Sequence, residues 1–303
     1  MKNPNRVLIV VNLRAGKRIV RGQLALIIDE FCAAGYIPTV ITTQAGGDAE
    51  RIVAGKSNDY ELVVCCGGDG TLNESISGMM RSRRRVPIGY IPCGSTNDMA
   101  NTLGLPRDPV HAAKHIIEGT PVEHDIGMFG ERYFTYIASF GAFTRASYAT
   151  PQKIKNVLGH FAYVLEGAKE IGEIKPYHFR ITFNEQTIED DFIFGSVSNS
   201  TSVGGIFTFP ENDVTLNDGM FELLLVRAPK TPMDATTLLM SMAKKDFRDK
   251  NLVFAHTNNI FFEPEKPLEW TIDGECSGKI DDVVVNNIPD TIQIVLKKRR
   301  ILR

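Results

Sequence analysis

Residues 63–75 read VVCCGGDGTLNES, an apolar strand that runs straight into Gly67, Gly68, Asp69, Gly70 and Thr71. Thr71 followed three residues later by Glu74 has the spacing of a capping box, so a helix is expected to begin near Thr71. In a strand-to-helix turn of this kind the glycines leave backbone N–H groups with no side chains in front of them, and phosphate oxygens fit there. Asp69 is the informative residue. A carboxylate inside an anion-binding turn repels phosphate unless a divalent cation stands between them, an arrangement common in phosphoryl transfer. No Gly-Lys-Ser/Thr follows, which excludes a Walker loop, and the spacing is not G-x-G-x-x-G.

Around this stretch, β-branched runs at 6–12, 37–43, 60–67 and 86–92 alternate with helix-length segments, the pattern of strands and crossover helices in a mostly parallel sheet. One such segment carries Leu24, Ile27, Ile28 and Phe31 at helical spacing with Gly35 as its stop. Another starts on Pro109 and ends before Gly119. A second turn, IPCGSTNDMA at 91–100, repeats the first: strand end, Gly94, Ser95, Thr96, Asn97, Asp98, then a helix. Two turns after two strands of one sheet lie on the edge where open α/β sheets bind ligands. Helix capping alone accounts for about two of those four polar residues.

From about residue 125 the texture changes to aromatic and β-branched runs punctuated by Gly, Asn and Asp, the mark of a mostly antiparallel second domain. Helices are expected within it over 151–172 and near 231–245. At 303 residues and 43% hydrophobic, the chain suits two domains. Lys and Arg number 34 against 36 Asp and Glu, so the total argues against a nucleic-acid partner. Five cysteines without metal-ligand spacing point to a reducing, cytoplasmic compartment. The short apolar run at the N-terminus lacks a signal-peptide cleavage site, and no stretch approaches a membrane span.

GGDGT, GSTNDMA some 25 residues later, NDGMFEL at 217–223 and IDGE at 272–275 together resemble the diacylglycerol kinase catalytic family, in particular its bacterial soluble lipid kinases. The resemblance spans nearly the whole chain. It implies an N-terminal Rossmann-like α/β domain over 1–125, a C-terminal β-sandwich-like domain over 126–290, and a terminal segment, 291–303, packing back on the first. It implies ATP and Mg²⁺ as cofactors, with ATP in the cleft. Asn12, Leu13, Arg14, Ala15 and Gly16 match the first nucleotide loop, although Leu13 replaces the family's proline and Ala15 its small hydroxyl residue. Thr43 matches a contact at the end of the second strand, Ser95 a further ATP contact, and Gly67, Gly68, Asp69, Gly70, Thr71, Leu72 and Asn73 the phosphate loop. Thr215, Asp218 and Met220 match a structural Mg²⁺ site linked through water to Asp69 and Asp98. Glu275 matches the general base.

Taken singly, IDGE is a hairpin turn and NDG another, and neither requires a metal or a substrate. The resemblance implies a lipid acceptor with a free hydroxyl, most often diacylglycerol, and so a cytoplasmic enzyme that meets the membrane peripherally. The basic runs RSRRR at 81–85 and KKRR at 297–300 are candidates for that contact. Two rivals stand beside the lipid kinase: a kinase of a soluble acceptor such as NAD, and a non-catalytic nucleotide-binding regulator. A homodimer through a sheet edge is compatible with the sequence. The six histidines show no paired spacing, and Cys93 and Cys276 lack a histidine partner that would make either a nucleophile.

Overall fold

The computed structural model describes residues 5–16, 19–95, 97–141, 175–200, 202–203, 207–208, 216–244 and 246–297. The helix expected over 151–172 lies outside these residues, as do Thr96 and Thr215. The chain divides into two compact units, one comprising Met1–Ile126 with Pro289–Arg303 and the other Gly127–Ile288.

In the first unit, β1 (Asn5–Val11), β2 (Tyr36–Thr42), β3 (Leu62–Gly67) and β4 (Ile88–Pro92) pair in parallel in the order β4-β3-β1-β2. The end of the last strand, β17 (Val283–Leu296), adds to the sheet beside β4, with Ile294 opposite Ile88. Val7 to Val11 and Val63 to Cys66 are fully buried, which is why neither stretch alternates polar with apolar: a parallel sheet covered by helices has no wet face. α1 (Ile19–Ala33) buries Ile27 and Phe31, four residues apart on one face, and Gly35 follows it at φ +83°. α2 (Asp48–Lys56), α3 (Asp69–Met80), α4 (Asp98–Thr102) and α5 (Pro109–Ile117), with a short 3₁₀ turn at Ser57–Asp59, are the other helices of this unit among the described residues. Asp108 caps α5 by accepting from the His111 N–H at 2.9 Å, with Pro109 at the first helical position.

The chain leaves this unit along β5 (Thr120–Phe129). The second unit is β-rich and antiparallel. β6 (Arg132–Phe134), β7 (Ile137–Gly141), β8 (Tyr177–Phe183), β9 (Gln186–Ser198), the short pair β10 (Ser202–Val203) and β11 (Phe207–Thr208), β12 (Phe221–Arg227), β13 (Leu252–Thr257), β14 (Asn259–Pro264), β15 (Leu268–Ile272) and β16 (Glu275–Ile280) are its strands, with the start of β17. One path runs β16-β15-β7-β9-β8-β14-β17, while β12 pairs with β9 and β13. The sheet therefore branches at the long strand β9, whose first half pairs with β8 and whose second half lies between β7 and β12. That branching gives the sandwich-like form, filled by Phe140, Phe179, Phe262 and Trp270, whose rings meet at 4.4–6.3 Å. α6 (Pro232–Lys244) joins β12 to β13.

Candidate active site

The two glycine turns follow neighbouring strands, since Gly67 of β3 lies opposite Pro92 of β4. They touch. A Cβ on Gly94 would stand 2.6 Å from the Gly68 Cα, and one on Gly16, at φ +49°, would stand 2.4 Å from the Cys93 carbonyl oxygen. Loops 12–16, 67–71 and 93–98 thus close on one another through backbone, and only glycine permits that approach. The Asn97 side chain braces its own turn, with Oδ1 accepting from the Gly94 N–H at 2.9 Å and Nδ2 donating to the Gly94 carbonyl at 3.0 Å. Ser95 is exposed on the same turn.

α3 starts at Asp69, two residues before Thr71, and the expected capping box does not form. The cap position is Gly68, which has no side chain to offer the first N–H groups of the helix. Those groups are the phosphate-binding element of such a turn. Thr71 is buried inside the first turn, with Oγ1 accepting from Asn12 Nδ2 at 3.1 Å. Glu74 reaches away to another helix: its carboxylate accepts from the N–H groups of Gly47 at 2.8 Å and Ala49 at 3.1 Å, at the start of α2. Asp48 holds the same loop from within by accepting from Gln44 and Ala45. Asn12, Arg14, Thr43, Gln44, Thr71 and Glu74 line a cavity of about 180 Å³ there. Leu13 accepts from Arg21 Nε at 3.0 Å, so the first loop is anchored without the family's proline. Leu72 is buried, and Ala15, Gly70 and Asn73 are partly exposed.

Asp69 does more than sit in the turn. Its carboxylate accepts from the backbone N–H of Asp98 at 3.1 Å and of Met99 at 3.2 Å, tying the first glycine turn to the start of α4. Burial raises the Asp69 pKa against these hydrogen bonds. Burial, and then the Asp69 charge, push Asp98 up to about 6. Asp69 and Asp98 thus set half-buried oxygen donors beside an uncapped helix start, a chemistry that fits a hard divalent cation, although among the described residues no cluster of three or more His, Cys, Asp or Glu completes a metal site. Asp125, also in this unit, is fully buried and accepts from the Asp290 N–H at 3.0 Å.

The remaining candidates belong to the second unit. Asp218 is exposed and turns back on its own loop, accepting from the Met220 N–H at 2.9 Å. The loop is held by two asparagines: Asn199 donates to the Leu216 carbonyl at 3.2 Å and Asn287 to the Met220 carbonyl at 3.1 Å. The Met220 carbonyl, matched to a metal ligand, is therefore already one hydrogen bond deep, with a lone pair left. Glu222, one strand residue on, is buried, and burial followed by the Asp218 charge pushes its pKa up to about 8. Glu275 is exposed at the start of β16, just past the Asp273–Gly274 turn. Sequence reasoning singled out neither Glu222, Asn199 and Asn287 nor the side chain of Asp273. Each is an ordinary strand or turn residue, and the partners of Asn199, Asn287 and Asp273 are remote in sequence.

An α/β unit with glycine turns beside paired acids, in a chain whose second unit is a β-sandwich, defines a two-domain phosphotransferase. The diacylglycerol kinase catalytic domain family matches residues 6–129, and the YegS C-terminal NAD kinase beta sandwich-like domain family matches residues 137–296. The chain is 30% identical over 297 residues to the diacylglycerol kinase of Bacillus subtilis (strain 168), covering 97% of each. It is 30% identical over 281 residues to that of Staphylococcus aureus (strain Newman), covering 91% of this chain and 87% of the relative. A solved diacylglycerol kinase structure from Bacillus anthracis shares the fold with a TM-score of 0.77 at 20% identity, over 100% of both chains. A second solved structure from that organism gives 0.79 at 24% identity, over 100% of this chain and 98% of the other. The chain belongs to the diacylglycerol kinase family and is a lipid kinase.

Proposed function

We propose that the protein transfers the γ-phosphoryl group of ATP to the free hydroxyl of a membrane lipid, diacylglycerol giving phosphatidic acid, in a reaction that requires Mg²⁺. What carries this is the Asp69 carboxylate, held by the Asp98 N–H beside the uncapped start of α3, with the Asp98 carboxyl close enough to feel its charge. Phosphates at the helix start and a divalent cation at the acids satisfy both features at once. When bound, the cation neutralises charge that develops on the transferred phosphoryl group. Gly67 to Asn73 and Ser95 cradle the phosphates, Asn12 to Gly16 and Thr43 hold the rest of the nucleotide, and Asp69 keeps the two turns in register. Asp218 and the carbonyls of Met220 and Thr215 would hold a second, structural Mg²⁺. Glu275 accepts the proton of the lipid hydroxyl as the hydroxyl oxygen attacks the γ-phosphorus and the bond to the bridging oxygen breaks, releasing ADP.

Contact with an anionic bilayer would be peripheral in this reading; no helix among the described residues is long and apolar enough to cross a membrane. The run at 81–85 offers less free charge than its sequence suggests. Arg81 pairs with Glu50, Arg84 pairs with Glu61 at 3.0 Å, and Arg85 donates to the Thr291 carbonyl at 3.5 Å. Lys297 of the second run pairs with Glu118.

The decisive assay incubates the purified protein with γ-labelled ATP, Mg²⁺, NAD and vesicles of total lipid extract, and identifies the product by mass. Label in phosphatidic acid, abolished by EDTA and restored by Mg²⁺, is the expected result. Label in NAD and none in lipid would assign a soluble acceptor, and ATP binding without transfer to any lipid would assign a regulator.

A further inference from the structure

The hairpin that carries Glu275 is built around a buried carboxylate. β15 and β16 pair with Ile272 opposite Glu275, leaving the two-residue turn Asp273–Gly274. Both turn residues have positive φ, +46° and +83°, the form that suits the twist of the flanking strands. An Asp in such a turn ordinarily points into water. Here Asp273 is 6% exposed and folds back on the β6–β7 connection. Its Oδ2 accepts from the Thr135 N–H at 2.6 Å, and its Oδ1 accepts from the Tyr136 and Ile137 N–H groups, both at 3.0 Å. The Asp273 N–H donates in turn to the Ile137 carbonyl at 2.8 Å. Four hydrogen bonds therefore fix one residue of a hairpin tip to a segment more than 130 positions earlier in the chain.

Glu275, two residues on, is exposed. A carboxylate that must take a proton from an incoming hydroxyl loses rate when its position wanders by an ångström. A free two-residue hairpin tip wanders by more than that, because turns fray first. We propose that Asp273 is a positioning residue for the reaction: through the backbone amides of Thr135, Tyr136 and Ile137 it holds the hairpin tip so that the Glu275 carboxylate stands where the acceptor hydroxyl arrives. Asp273 touches neither substrate nor phosphate in this role, and the inference rests on Glu275 being the base.

The test is a double-mutant cycle on the full chain, with Mg²⁺-ATP and diacylglycerol in vesicles as the probe. Asp273→Asn keeps one acceptor oxygen but sets an amide N–H₂ against a backbone donor. It is expected to lower kcat at least ~30-fold while the KM values for ATP and lipid stay within about threefold. In a Glu275→Gln background the same change should cost less than about twofold, because the group it positions is already gone. A full ~30-fold loss in both backgrounds would overturn the proposal by showing that Asp273 acts independently of Glu275. So would wild-type kcat for Asp273→Asn. Near-normal turnover of Glu275→Gln alone would instead remove the base, a failure read separately from the others. Should Asp273→Asn not fold, Asp273→Glu keeps the charge and shifts its reach, and the same cycle is read with it.

Discussion

The first glycine turn, at Gly67–Gly70, and the Glu275 hairpin of the second unit use one device in two settings. In both, an aspartate at a glycine-containing turn spends its carboxylate on backbone N–H groups of a different segment: Asp98 and Met99 for Asp69, Thr135 to Ile137 for Asp273. The settings differ in charge. Burial disfavours the ionised form of Asp69, whose charge in turn raises Asp98, whereas the buried Asp273 carboxylate accepts from three backbone N–H groups. A carboxylate that accepts from three backbone N–H groups holds structure. One crowded by a second carboxylate still has a use for a cation. Sequence places an Asp beside glycine in both turns, and only the surroundings tell a positioning acid from one that organises charge.

That contrast breaks if charge at Asp69 proves dispensable. Asp69→Asn keeps an acceptor for one of the two α4 amides and sets an N–H₂ against the other, at ~1–3 kcal/mol of stability, so the fold and nucleotide binding should survive while turnover falls at least ~100-fold. Steady-state kinetics beside an ATP-binding isotherm separates the two contributions. An active Asp69→Asn enzyme would reduce Asp69 to a second Asp273.

Glycine provides the next separation. Gly94 is required for space, since its Cβ would lie 2.6 Å from the Gly68 Cα, whereas Gly274 has no atom nearer than the Tyr136 hydroxyl at 3.5 Å and is required only for φ +83°. Asparagine enters the left-handed region readily but cannot shrink. Gly274→Asn should therefore stay within about threefold of wild-type turnover, while Gly94→Asn overpacks by ~1–3 kcal/mol and weakens nucleotide binding about tenfold. Thermal unfolding and ATP titration of the pair check both halves.

How much of this was legible follows from the range of the forces involved. The strand–helix alternation, the change of texture near residue 125 and the placing of two glycine turns on one sheet edge all come from local pattern, and the fold agrees. Local pattern misled at Glu74, where capping-box spacing suggested a partner three residues away and the carboxylate caps a helix 25 residues earlier. Asp273 was invisible for the same reason, because a hairpin Asp looks alike whether its side chain is in water or on three remote amides. The motif order, through the family it resembles, supplied what spacing could not.

A third separation uses pH. The pKa of Glu222 rises from 4.5 to about 8 on folding, chiefly by burial, and that of Asp98 from 3.8 to about 6. Between the ordinary and the raised value the folded state keeps a proton that the unfolded chain has lost, so stability declines as pH rises through that interval. For Glu222 the interval runs from about pH 4.5 to about 8. Urea unfolding in EDTA should show the second unit losing on the order of a few kcal/mol across it, and Glu222→Gln should flatten that slope. A slope unchanged by Glu222→Gln would place the titrating group elsewhere.

The smallest effect belongs to the third carboxylate–amide clamp, Glu74. It resembles Asp273 in function and Asp69 in location: two backbone N–H groups are its partners, and the loop it pins contributes Thr43 to Gly46 to the cavity beside Asn12 and Thr71, where the nucleotide is proposed to bind. It differs from both in being partly exposed, so water can replace whatever a substitution removes. Glu74→Gln keeps one acceptor oxygen and loses the other, a change worth about 1 kcal/mol, and that loss falls on the ordering of the loop rather than on the chemical step. The KM for ATP should rise up to about fivefold with kcat unchanged, the signature of lost uniform binding. A drop in kcat of the Asp69 size would instead mean that this loop moves with the phosphate turn as one body, and the difference between a clamp that positions the nucleotide and an acid that organises its charge would dissolve.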